Sequence, residues 1–96
     1  MMLFYIELIK TAEDDISADY DYQYTVQGEA YLNKAGKTRH HRKYVVGKVK
    51  IFKASGEFEI IELAEGDQGK HIARAVSALR RHWRKGEFPD KTYWIS

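Results

Sequence analysis

"YDYQYTVQGEAYL", residues 20–32, alternates at every step. Tyr20, Tyr22, Tyr24, Val26, Gly28, Ala30 and Leu32 fall on one side of an extended chain, and Asp21, Gln23, Thr25, Gln27 and Glu29 on the other. A period of two predicts a half-buried strand. A second alternating stretch runs from about Lys37 to Lys53, with Val45, Val49 and Ile51 on one parity and Lys48 and Lys50 on the other. Between them stands "KAGK" (34–37), where Gly36 supplies the positive φ that a hairpin turn needs. A two-residue Ala35–Gly36 turn sets Val26 against Val45, Tyr22 against Val49, Tyr20 against Ile51, Glu29 against Arg42 and Asp21 against Lys50. Such cross-strand pairs contribute roughly 0.2–1 kcal/mol each and fix register.

Working outward, "ASGEF" (54–58) predicts a second hairpin. A three-residue Ser55–Glu57 loop places Ile51 against Ile61, Val49 against Leu63, Lys53 against Glu59 and Lys50 against Glu62. Upstream, "MMLFYIELIK" reads as a strand: it is too short for a membrane span and carries Glu7. The acidic connection "TAEDDISAD" (11–19) is expected to be polar and mobile. Downstream, "GDQGKHIARAVSALRRHWRKGEFPD" (66–90) has helical spacing, with Ile72, Ala75, Val76, Leu79 and Trp83 on one stripe. Asp67 is the expected N-cap, Gly86 the C-cap and Pro89 the stop. The fold class is therefore α+β: a four-stranded antiparallel meander, one C-terminal amphipathic helix on one face, and a short final strand or core anchor in "KTYWIS". The 96 residues suit one domain spanning 1–96.

Charge is distributed in blocks. Residues 1–33 carry seven carboxylates and one lysine, 34–53 eight Lys/Arg and no acid, 54–69 five acids and no base, and 70–96 seven bases and two acids. Such blocks pair internally or serve partners. The acids after Phe52 are expected to neutralise the lysines of the preceding strand.

"KTRHHRK" (37–43) is the densest cationic stretch. In the register above, Lys43, His41 and Arg39 face Gly28, Ala30 and Leu32 with core parity. Hiding three such groups without partners would cost several kcal/mol each. The hairpin tip is thus expected to leave the core as a basic ribbon of roughly 24 Å. A two-stranded ribbon fits a nucleic-acid groove or tracks a phosphate backbone; its cations also discourage edge-to-edge aggregation. A second cationic surface is the outer helix face, Lys70, Arg74, Arg81 and Lys85, where an anion at the helix N-terminus would offset the unfavourable Lys70 and His71 unless Asp67 fills that place.

The run of strands leading into "GDQGKHIARAVSALRRHW" is similar in layout to double-stranded RNA-binding domains, in which three antiparallel strands precede a helix that is basic at its start. The resemblance rests on Lys70, His71 and Arg74, and a strand stands where that family has its N-terminal helix.

Enzymatic chemistry finds little support. Neighbouring His40 and His41 point to opposite faces of a strand, and His71 and His82 lie about 16 Å apart along a helix. There is no cysteine, and no phosphate loop, nucleophile elbow or two-histidine metal spacing occurs. No catalytic residue, metal or cofactor is expected. The sequence points to a non-enzymatic, cytoplasmic polyanion-binding domain, with nucleic acid as the favoured partner. Its site comprises Lys37, Arg39, His40, His41, Arg42, Lys43, Lys70, Arg74, Arg81 and Lys85. The alternative is a small inhibitor or immunity-type protein that docks on a nuclease or another protein of nucleic-acid metabolism. Tyr20, Tyr22 and Tyr24 suit a core facing the helix better than a base-stacking platform, while Tyr44, Phe52 and Ile60 on the opposite face, if left uncovered, would make a patch for a homodimer or a partner protein.

Overall fold

The computed structural model describes residues 4–95, and for residues 27–29 the backbone only. It contains strands β1 (Tyr5–Glu13), β2 (Ser17–Leu32), β3 (Thr38–Phe52) and β4 (Phe58–Glu62), helix α1 (Lys70–Trp83) and strand β5 (Lys91–Ile95). The α+β class and the meander hold, but the sheet has five strands, in the order β4-β3-β2-β1-β5. The extra member is the C-terminal segment, which pairs antiparallel with β1, Ile6 opposite Trp94 and Leu8 opposite Thr92. Most of the polar connection expected at 11–19 belongs to the strands, which leaves a turn at residues 14–16. Asp14 accepts the amides of Ile16 and Ser17, both at 2.8 Å, so that β1 and β2 extend almost to each other.

Up to Gln27 the first hairpin keeps its predicted faces but slips by two residues; beyond it the slip is one, so that Tyr31 and not Leu32 lies opposite Arg39, and Ala30 lies opposite His40 and not His41. Tyr20 lies opposite Val49, Tyr22 opposite Gly47, Tyr24 opposite Val45, Asp21 opposite Lys48 and Asp19 opposite Lys50. The cause is at the turn. Asn33 and Lys37 close a three-residue loop through Asn33 N–H to Lys37 C=O (3.0 Å) and Gly36 N–H to Asn33 C=O (2.9 Å), with Gly36 at φ 75°. The Asn33 carboxamide oxygen also accepts the amides of Ala35 and Lys37. A bulge between Gln27 and Ala30 absorbs the remaining offset. The expected Glu29–Arg42 contact involves a side chain outside those described.

The second hairpin departs further, because its slip is odd. Ile51 faces Phe58 and Val49 faces Ile60, whereas Ile61 and Leu63 were expected there. Ile60 therefore belongs to the helix side and not to the open face. The helix sets this register by clamping the loop. Trp83 Nε1 donates to Lys53 C=O (2.8 Å) and Arg80 Nε to Gly56 C=O (3.0 Å). Gly56, at φ 72°, lies under the Trp83 ring, where a Cβ would come within 2.8 Å. Tertiary contacts of this kind are invisible to local turn rules.

One core lies between the sheet and α1. Ile6, Leu8, Tyr20, Tyr22, Tyr24, Val45, Val49 and Ile51 meet Ile72, Ala75, Val76, Ala78 and Leu79. The three tyrosines are thus core and present no stacking platform. The Tyr20 hydroxyl donates to Pro89 C=O (2.7 Å), and burial raises its pKa to about 12.

Candidate polyanion-binding surface

Beyond Val26 and Val45 the β2–β3 hairpin leaves the core. Every residue from Thr38 to Tyr44 is exposed, as are Tyr31 and Leu32. The molecule measures 55 × 25 × 20 Å, elongated by this arm. Residues 30–44 carry five Lys/Arg and no carboxylate. The expected projection is present, with Lys37, Arg39, His40, His41 and Arg42 all exposed on it.

Alternation sorts these groups. Arg39, His41 and Lys43 share the parity of buried Val45 and so line the helix-side face of the arm, while Thr38, His40 and Arg42 share the parity of Tyr44. Tyr31 lies opposite Arg39 and stacks on His41 with centroids 4.4 Å apart, which stiffens the ribbon. Lys43 differs from the others: its Nζ lies 2.6 Å from Glu65, at the root of the arm.

The helix N-terminus lies at this same root, because His71 stacks on Tyr24 at 4.2 Å. Lys70 is exposed there. The proposed anion position on the helix is already filled. Asp67 accepts the amides of Gly69 (2.9 Å) and His71 (3.2 Å) through one oxygen, and of Ile72 (3.0 Å) and the Tyr22 hydroxyl (2.8 Å) through the other. Burial alone would raise the pKa of this carboxyl; the hydrogen bonds from Tyr22 and the three amides outweigh that and hold it below the ordinary aspartate value. Gly69, at φ 105°, occupies the N-cap position itself, so Asp67 caps from two residues upstream.

Arg74 does not stand free on the helix face. Its guanidinium lies 4.7 Å from the Trp94 ring centroid and 6.0 Å from that of Phe4, a cation–π arrangement that binds α1 to β5. Of the three residues that carry the resemblance to RNA-binding domains, two are thus engaged in internal packing and only Lys70 is fully exposed. Arg81 and Lys85 are exposed, but at the far end of the helix. Eleven residues at 1.5 Å separate Lys70 from Arg81 by about 16 Å. The structure therefore gathers the arm and Lys70 at one end and leaves Arg81 and Lys85 as an extension along the outer face of the helix. Lys34, in the arm turn, joins the cationic group; it stands just outside the dense "KTRHHRK" run, and only the hairpin brings it in.

The lysines in the body of β3 are neutralised from β2, not from β4. Lys48 Nζ lies 3.1 Å from Asp21, and Lys50 Nζ 4.0 Å from Asp19. Near the β1–β2 turn, Glu13 takes both Lys10 and Lys53, each at 2.6 Å. Among the described residues no cluster of three or more His, Cys, Asp or Glu is arranged to hold a metal ion, and no helix is long and apolar enough to cross a membrane.

Comparison with known proteins gave no match to a family model, a curated protein or a solved structure.

Proposed function

We propose that the protein is a non-enzymatic nucleic-acid-binding domain that grips the phosphate backbone with its arm. The observation that carries this reading is the arm itself: an extended ribbon with five cations and no acid across residues 30–44, free of the core along its length. Lys37, Arg39 and Arg42, with Lys34, supply the contacts. Lys70, Arg81 and Lys85 extend the attraction along the helix, while Arg74 holds β5 in place. Lys43 joins only by exchanging Glu65 for a phosphate.

The experiment is fluorescence anisotropy with labelled duplex DNA, duplex RNA and single-stranded oligonucleotides between 50 and 200 mM salt. Four neutralised phosphates predict an affinity loss of about a hundredfold over that range, with little dependence on sequence. The double variant Arg39→Glu/Arg42→Glu is expected to abolish binding without altering the folded spectrum. A salt-independent affinity, or no binding at the low-salt end, would overturn the reading.

A further inference from the structure

β4 is an outer strand whose five residues are all exposed. Its inner edge pairs with Lys48-Val49-Lys50-Ile51; its outer edge pairs with no strand among the described residues. α1 packs chiefly over β5, β3 and β1, and this leaves a groove of about 270 Å³ beside β4, lined by Phe58, Ala73, Val76, Ser77, Arg80 and Arg84. The two sides of the strand differ in chemistry. Phe58, opposite Ile51, lines the groove and Ile60, opposite Val49, lies on the same side of the sheet, whereas Glu59 and Glu62, opposite Lys50 and Lys48, lie on the other.

These carboxylates have no ion-pair partner among the described residues, because the lysines beside them are held by Asp19 and Asp21. An edge paired with no described strand, a groove on one side that sets Phe58, Ala73 and Val76 beside Ser77, Arg80 and Arg84, and on the other side acids without an ion-pair partner among the described residues specify a complementary strand: extended, uncharged at the positions that face the groove, and Lys or Arg at those that face Glu59 and Glu62. β3 presents this same alternation to the inner edge of β4. A second β4 would not serve, since Glu59 and Glu62 would approach their own copies, and like charges across strands are destabilising.

We propose that β4 and the groove beside α1 form a docking site for an extended basic segment of a partner protein, which adds to the sheet as a sixth strand. Main-chain hydrogen bonds to the β4 edge hold it, apolar side chains enter the groove over Phe58 and Val76, and cations pair with Glu59 and Glu62. The arm and this site lie on different parts of the surface, so the proposal stands independently of nucleic-acid binding.

The test is a titration of the isotope-labelled full chain with the end-blocked peptide GKVKIF, the sequence of residues 47–52, followed by amide chemical shifts. Saturable shifts confined to residues 57–63 and 73–84 are expected. The double variant Glu59→Lys/Glu62→Lys, confirmed as folded by its own spectrum, should bind about tenfold more weakly, and the peptide with both lysines replaced by glutamate should not bind. Shifts absent or elsewhere, or equal binding of the glutamate peptide, would overturn the proposal. So would movement of the same amides on concentrating the protein alone, which would give the edge to a second copy.

Discussion

Tyr22 and Asp67 join the sheet to the helix. The Tyr22 hydroxyl donates to Asp67 and accepts the Ala64 amide at 2.9 Å, and burial raises the pKa of this phenol well above the ordinary tyrosine value. Asp67→Ala would leave three helix amides and a buried hydroxyl without their acceptor; a loss of roughly 2–4 kcal/mol is expected by urea denaturation. The pH dependence has a definite sign. The Asp67 carboxyl is held below its unfolded value of about 4, so its contribution is complete above that pH and is lost as the pH falls through the folded value. Asp67→Asn should therefore start less stable at neutral pH and decline less steeply below pH 4, as read from the urea midpoint against pH. Gly47 is the counterpart on β3. A Cβ there would come within 2.2 Å of the Tyr22 ring, and the ring cannot retreat while its hydroxyl is bound. Gly47→Ala is expected to cost about 3 kcal/mol, checked by thermal denaturation. In the sequence Gly47 reads only as a gap in the alternation of β3, and the ring that requires it is 25 residues away.

Among the elements, those built on strict alternation were legible and those set by tertiary clamps were not. β2 announced itself through Tyr20, Tyr22 and Tyr24, whose faces survive a slip of two residues because the strand period is two. β4 did not, since an odd slip exchanges its faces and the cause, Trp83 and Arg80 gripping the Lys53–Gly56 loop, lies on another element. The arm was legible from cost alone: Arg39 and His41 have no partners in the core, so the strands carrying them leave it. Arg74 was not, because its place on Trp94 depends on β5 reaching β1. The arm's independence gives a prediction at this scale. Replacing residues 27–42 with a two-residue Asn-Gly turn between Val26 and Lys43 removes no buried side chain among those described. The thermal midpoint should move by no more than about 3 °C, while oligonucleotide binding should vanish in the anisotropy assay.

For the whole molecule, alternating charge along the chain becomes separation in space. β3 lysines meet β2 aspartates inside the body, the arm carries exposed Lys34, Lys37, Arg39 and Arg42 to one end, and β4 shows its acids along one edge. A radius of gyration of 15.8 Å, against about 13 Å for a compact chain of this size, reflects the arm. The order of strands carries a further consequence. β1 lies between β2 and β5, and the two partners of Ile6 and Leu8 across the β5 side, Trp94 and Thr92, are more than 80 residues away in the chain. During synthesis the hydrogen-bonding edge that β1 turns toward β5 stays open until residues 91–95 leave the ribosome. Completion of the sheet therefore waits for Lys91–Ile95 to be made and released, and a nascent chain stalled before Lys91 presents an unsealed edge to chaperones and to other nascent copies.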